Sequence, residues 1–270
     1  MSIHAIFVAP FFMDATLKFL GGATRLPGVD LTLISQDPLE KLPPHLRERL
    51  AGHWQVDNAL DPAQIVAAAK ALQQRCGIAT RLFGPLEQLQ VPLAMARQAL
   101  GLEGHGPEVA NNFRDKARMK DVLREAGVPC ARHALAGDCD TAFAFADEVG
   151  FPLVAKPPAG AGAQGTWRID HRDDLAELVT RHPPDPARPT LFEEFVKGTE
   201  HSFDSVLCDG EMVWHSISRY LPSPLEVIEN PWIQWSVLLP RDISGAEYDP
   251  IRVAGEAAVK ALGLSTGLSH

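Results

Sequence analysis

Cysteine is scarce in this chain. The four present, Cys76, Cys130, Cys139 and Cys208, form no C-x-x-C pair and no plausible disulfide ladder. That excludes a stapled secreted scaffold and a cysteine-ligated zinc site, and it suits a reducing, cytoplasmic setting. Long apolar runs are lacking too. No stretch approaches the roughly 18 residues that a bilayer span needs. The first apolar run, in MSIHAIFVAPFFMDATLKF, has no basic flank and does not read as a signal peptide. Positive charge is in deficit: Lys+Arg is 25 against an Asp+Glu of 34, a net charge of −9. A phosphate backbone would repel such a chain, which argues against nucleic acid as partner. A small phosphate ligand in a locally basic pocket remains open. What is present is ordinary globular material, 46% hydrophobic and 22% charged over 270 residues. That is enough for one large or two medium domains and argues against disorder.

Residues 1–110 alternate strand-like and helical patterns. Ile3–Ala9 and Val29–Ser35 read as strands, and Asp61-Pro62 opens an amphipathic helix through Ile65, Val66, Ala69 and Leu72. Such alternation predicts a doubly wound parallel α/β domain, with a boundary in the glycine-rich Leu100–Glu108. From residue 111 the texture is α+β. Asn111 or Asn112 is expected to cap a helix over 113–126 that closes at Gly127. Leu153–Lys156 and Thr166–Asp170 read as strands flanking a glycine loop. The proline-rich 183–189 separates a lid of about 115–190 from a strand-rich part, 191–270. There Asp209-Gly210 reads as a hairpin turn and Asp249-Pro250 opens a last helix.

Three segments could carry chemistry. Gly160–Gly165 (GAGAQG) follows Lys156 and matches G-x-G-x-x-G. A dinucleotide loop would lead into a helix, but a strand follows here. A P-loop would close on G-K-[ST], and a kinase loop has its lysine downstream. Two readings stay open: a β-hairpin flap over phosphates, or a glycine loop without a ligand. Thr190–Glu200 (TLFEEFVKGTE) presents a carboxylate beside a main-chain edge, which suits an adenine; it also fits a charged, soluble edge strand. Asn112–Pro129 places Lys116 in a first helical turn with Lys120 one turn on, either a phosphate site or a solvated face.

In order and spacing, the three segments together resemble the ATP-grasp superfamily, and within it the carboxylate–amine ligase group. The resemblance runs over essentially the whole chain. It implies a doubly wound pre-ATP-grasp domain, 1–110, followed by an incomplete ATP-grasp domain, 111–270. By that resemblance Lys116 and Lys156 hold phosphates, and the flap Ala159–Gly165, with Gly160, Gly162 and Gly165, closes over them. Glu193 accepts from the adenine amino group, Phe195 and Val196 line the base, and main-chain groups of Glu194 and Val196 meet its edge. Glu200 holds the ribose. Arg219 and His215 sit where the family faces the phosphates or acyl group, Arg219 being the catalytic candidate, and a purely structural role is the alternative for both. Glu87 stands where the family meets substrate, although a surface glutamate is the better reading.

The implied activity is an ADP-forming ligase that joins a carboxylate to an amine through an acylphosphate, using ATP and Mg²⁺. Partners are then small-molecule carboxylates and amines, with no nucleic acid or membrane, and a homo-oligomer is possible. Family members bring metal ligands just after a G-x-x-H segment. Here that segment is Gly267–His270, so no metal ligand is assigned and the ligands are expected beyond His270. The alternative is an adenine-nucleotide-binding module without turnover, serving regulation or a partner.

Overall fold

The computed structural model describes residues 2–160, 165–230 and 232–270. The chain divides into two compact units, Met1–Arg114 and Asp115–His270.

The first unit contains β1 (Ile3–Val8), α1 (Asp14–Ala23), β2 (Val29–Ser35), α2 (Pro44–Arg47) and β3 (Gly52–Gln55). It continues with α3 (Pro62–Cys76), β4 (Ala79–Phe83), α4 (Gln90–Leu100) and α5 (Pro107–Arg114). The strands form one parallel sheet in the order β3-β2-β1-β4. Successive side chains of a strand point to opposite faces. Ile6, Val8 and Ile34 therefore pack with Ile65, Leu72 and Leu93 on one side. Phe7, Leu31 and Leu33 pack with Leu20, Leu42 and Leu46 on the other. Burial on both faces explains the unbroken apolar run of β1. Each such side chain contributes about 1.5–3 kcal/mol. Asp61 caps α3 by accepting from the Ala63 N–H at 2.9 Å, with Pro62 at the first helical position.

The expected boundary at 100–108 is not where the unit ends. Gly101, at φ +64°, does close α4. The Arg97 guanidinium, however, donates to the carbonyls of Leu82 and His105 and ties the following loop back to β4. The chain then enters α5, and the unit ends at Arg114.

The second unit contains α6 (Lys116–Glu125), β5 (His133–Ala136), α7 (Cys139–Val149), β6 (Leu153–Lys156), β7 (Trp167–Ile169), α8 (Arg172–Arg181) and β8 (Thr190–Glu194). After these come β9 (His201–Cys208), β10 (Glu211–Leu221), α9 (Pro224–Glu229), β11 (Ser236–Leu238), α10 (Asp249–Leu262) and β12 (Gly267–Ser269). The single helix expected over 113–126 is in fact broken at Asp115. The Asp115 carboxylate accepts from the N–H groups of Ala117 and Arg118 at 2.9 and 3.1 Å, so it, rather than Asn111 or Asn112, is the cap. An aspartate competes with the helical backbone inside a helix but satisfies orphan donors at its start.

An antiparallel sheet in the order β5-β8-β6-β7 follows. Strand β8 pairs with β5 and β6, so residues 190–194 complete this lid sheet, although the sequence pattern suggests a place in the C-terminal part. One face of the sheet is covered by α7 and α8, which bury Leu153, Ala155, Ile169 and Phe192 with Phe145 and Leu175. On the opposite face the register aligns His133, Glu193, Val154 and Arg168 in one row across the four strands.

A second antiparallel sheet runs in the order β11-β10-β9-β12. Its β9–β10 turn has Asp209 at φ +51° and Gly210 at φ +86°, the left-handed pair that a two-residue hairpin requires. Helix α10 lies on one face so closely that a Cβ on Gly255 would come within 2.5 Å of the Phe203 ring. Among the described residues, no helix is long and apolar enough to cross a membrane.

Candidate nucleotide site

Two lysines and a glutamate meet on the side of the lid sheet opposite α7 and α8, and a third lysine anchors the flap base. Glu193, in mid-strand on β8, is only 7% exposed. Its Oε2 accepts from Lys156 Nζ at 2.8 Å, across the β6–β8 pairing. Its Oε1 lies 3.4 Å from Lys120 Nζ on α6. That approach lacks hydrogen-bond geometry and leaves Oε1 buried and unsatisfied. A buried carboxylate oxygen without a donor is costly, so this atom marks a place where a ligand N–H would be stabilised.

Lys116 occupies the first turn of α6 because Asp115 caps that helix. Its Nζ donates to the Gly160 carbonyl at 2.6 Å, and its main-chain N–H donates to the Pro158 carbonyl at 2.9 Å. Helix start and flap base are thus joined by two hydrogen bonds. Across the flap, Gly165 takes φ +67°, and a Cβ there would press on Pro157 at 3.3 Å. Glycine is what the turn accepts. Gly162 lies outside the described residues.

Beyond Glu193, the edge is organised by Arg132. Its main-chain N–H and its side chain both donate to the Glu194 carboxylate at 2.8 Å, and the Glu194 N–H returns to the Arg132 carbonyl at 3.0 Å. The Arg132 N–H, and then its guanidinium, hold the Glu194 carboxyl below the usual range. The Phe195 N–H donates to the Pro152 carbonyl at 3.1 Å. The N–H groups of Glu194 and Phe195 are therefore used within the fold. Val196 is 67% exposed. The Arg168 guanidinium lies over the Phe195 ring, 4.6 Å from its centroid. At Glu200, desolvation by its surroundings raises the carboxyl, and nearby Lys156 partly offsets this. His133 is lowered by burial first, with Asp121 acting in the opposite direction.

Residues 115–213 match the model of the carbamoyl-phosphate synthase L chain, ATP binding domain. The carbamoyl phosphate synthase large chain of Streptomyces griseus is 25% identical over 213 residues, 76% of this chain and 18% of that one. The crystal structure of the L-amino acid ligase from Bacillus licheniformis superposes with a TM-score of 0.77 at 19% identity, over 99% of this chain and 62% of that one. The fold is ATP-grasp. A second ATP-grasp likeness, N5-carboxyaminoimidazole synthetase from Staphylococcus aureus complexed with ADP, gives a TM-score of 0.72 at 11% identity, over 99% and 66%. The chain thus spans about a fifth of the curated relative and less than two thirds of the ligase structure. These likenesses, at 19% and 11% identity to the two solved structures, establish the fold.

Other residues singled out by sequence lie elsewhere. Arg219 pairs in register with His201, and alternation puts it on the side of Phe203 and Ile217, where α10 packs. His215 stacks on Phe203, centroids 5.5 Å apart, and its Nε2 is buried without a partner. Neither shares the face of Asp204, which pairs with His270 at 2.5 Å. In the first unit, Glu87 is ion-paired to Arg114 at 2.9 Å. Three residues carry more of the site's geometry than the sequence pattern suggests: Lys120, Arg132 and Arg168. For Lys120 the i,i+4 spacing from Lys116 was the available signal. For the two arginines there was none, because their partners are set by strand register.

Proposed function

We propose that the chain carries the nucleotide-binding part of an ATP-dependent, ADP-forming ligase that joins a carboxylate to an amine. The observation that supports this most is the convergence of Lys120 and Lys156 on Glu193, one oxygen of which is buried and unsatisfied, with Lys116 at the flap base. The lysines suit a polyphosphate and the Glu193 oxygen suits an exocyclic amino group, and the Glu200 carboxylate would suit ribose hydroxyls. In the reaction, a substrate carboxylate oxygen bonds to the γ-phosphorus and the bond to the β-phosphate oxygen breaks, releasing ADP. The amine nitrogen then attacks the acyl carbon, the C–O bond to phosphate breaks, and the nitrogen loses a proton. Such transfer depends on positioning and charge neutralisation, which lysines on rigid elements supply.

A Mg²⁺ ion, which this chemistry uses, does not fit the residues present. Among the described residues no three His, Cys, Asp or Glu side chains converge on a metal position, and Asp204 is engaged by His270 and Ser202. No step is therefore assigned through a metal. The test is a titration with ATP and ADP followed by ADP release with a panel of amino acids. Binding with turnover supports the ligase. Binding without turnover identifies a nucleotide-binding module, and no binding overturns both.

A further inference from the structure

We propose that Arg168 forms the stacking wall for the purine base, an inference that rests on the nucleotide reading above. The flap joins β6 to β7, so the strands run away from it in parallel rows. Lys156 pairs with Leu191 in the row nearest the flap, and Val154 aligns with Glu193 and Arg168 in the next same-face row. Phe195, whose N–H reaches Pro152, lies beyond that. From Leu191, in the Lys156 row, to Phe195 just past β8 is four residues, about 13 Å along an extended chain. Lys156 therefore springs from the flap end of this face, Arg168 shares the Glu193 row one same-face row on, and Phe195 lies beyond it. A nucleotide held by the lysines would direct its base toward Glu193, Arg168 and Phe195.

At that end the aromatic ring is not bare. The Arg168 guanidinium covers Phe195 at 4.6 Å, and Asp170 holds it by bonds of 2.9 Å to both Nε and Nη2. These contacts fix a flat cation in one orientation, with 36% of its side chain still exposed. A planar guanidinium stacks on an aromatic face, whereas an ammonium on a flexible stem does not. Phe195 then acts as the support under the stacking surface. A purine offers the larger face and gains most.

The test measures dissociation constants of the full chain for ATP, CTP and inorganic tripolyphosphate, comparing the unchanged protein with Arg168→Ala, Arg168→Lys and Arg168→Gln. Melting temperatures verify that each variant is folded, and Arg168→Gln retains length should Arg168→Ala fail to fold. The expected result is about tenfold weaker ATP binding, 1.4 kcal/mol, with tripolyphosphate changed less than about twofold. CTP should lose less than ATP, and Arg168→Lys should resemble Arg168→Ala. Equal losses for ATP and tripolyphosphate, or unchanged ATP affinity, would overturn the role of Arg168. Tripolyphosphate binding without ATP binding in the unchanged protein would overturn the nucleotide reading itself, and the Arg168 role with it.

Discussion

Lys116 holds the flap base with both ends of its residue: its ammonium meets the Gly160 carbonyl at 2.6 Å and its amide meets Pro158 at 2.9 Å. The lysine that the resemblance assigns to phosphate thus also anchors the loop expected to cover that phosphate. An incoming polyanion would compete with a neutral carbonyl for the ammonium, an exchange that favours the charged acceptor.

Lys156→Ala should weaken ATP binding at least about tenfold and also destabilise the fold, because Glu193 would keep only Lys120 at 3.4 Å. Breaking a buried pair costs about 3 kcal/mol. Lys156→Met with Glu193→Gln should recover most of the melting temperature but none of the affinity. Full recovery of ATP binding by the double variant would contradict a phosphate role for Lys156.

Gly255→Ala tests the contact between α10 and its sheet. Alanine raises helix propensity by about 1 kcal/mol over glycine, so a solvent-facing site would be stabilised. Here the new methyl would sit 2.5 Å from the Phe203 ring. Overpacking of about 1–3 kcal/mol should win, and the melting temperature should fall. Phe203→Leu in the same chain should restore part of the loss; a stabilised single variant would refute the close packing.

Stability should decline as pH drops below about 6.5. Burial lowers both His133 and His53 from their ordinary 6.5. The unfolded chain therefore binds protons in a range where the folded chain does not, and acid favours unfolding. Melting curves at pH 7.5 and 5.5 should show the fall, and His133→Gln should reduce its slope. An unchanged slope would mean that other groups set it.

Glu194→Gln should cost less than about 1 kcal/mol, since Arg132 is half exposed and the partner is near the surface. The effect should shrink in high salt. A loss of several kcal/mol, measured by denaturant melts, would show that the Arg132 clip supports the whole lid sheet.

The strands and helices of the first unit were legible because apolar runs, Asp61-Pro62 and Gly101 each act locally. The lysines and glycines of the second unit were legible as a spaced set. The cap at Asp115 was obscured by three cap-competent residues within five positions, Asn111, Asn112 and Asp115. Strand β8 reads as a strand, but no pattern within it says which sheet it joins. The pairing of Lys156 with Glu193 spans 37 residues and depends on that choice. Arg168 over Phe195 depends on it equally, so the placement of both could emerge only from the register.

The pairing of site cations with an internal carboxylate has a kinetic side. With Glu193 between Lys120 and Lys156, much of the local positive charge is cancelled before any ligand arrives. The chain as a whole is acidic, at −9. Long-range attraction of a polyanion, which accelerates encounter in strongly cationic clefts, is therefore weak here. Capture would proceed by short-range exchange of partners after random collision. Added salt should then slow association little, and the rate should follow how readily the lysines let go of Glu193.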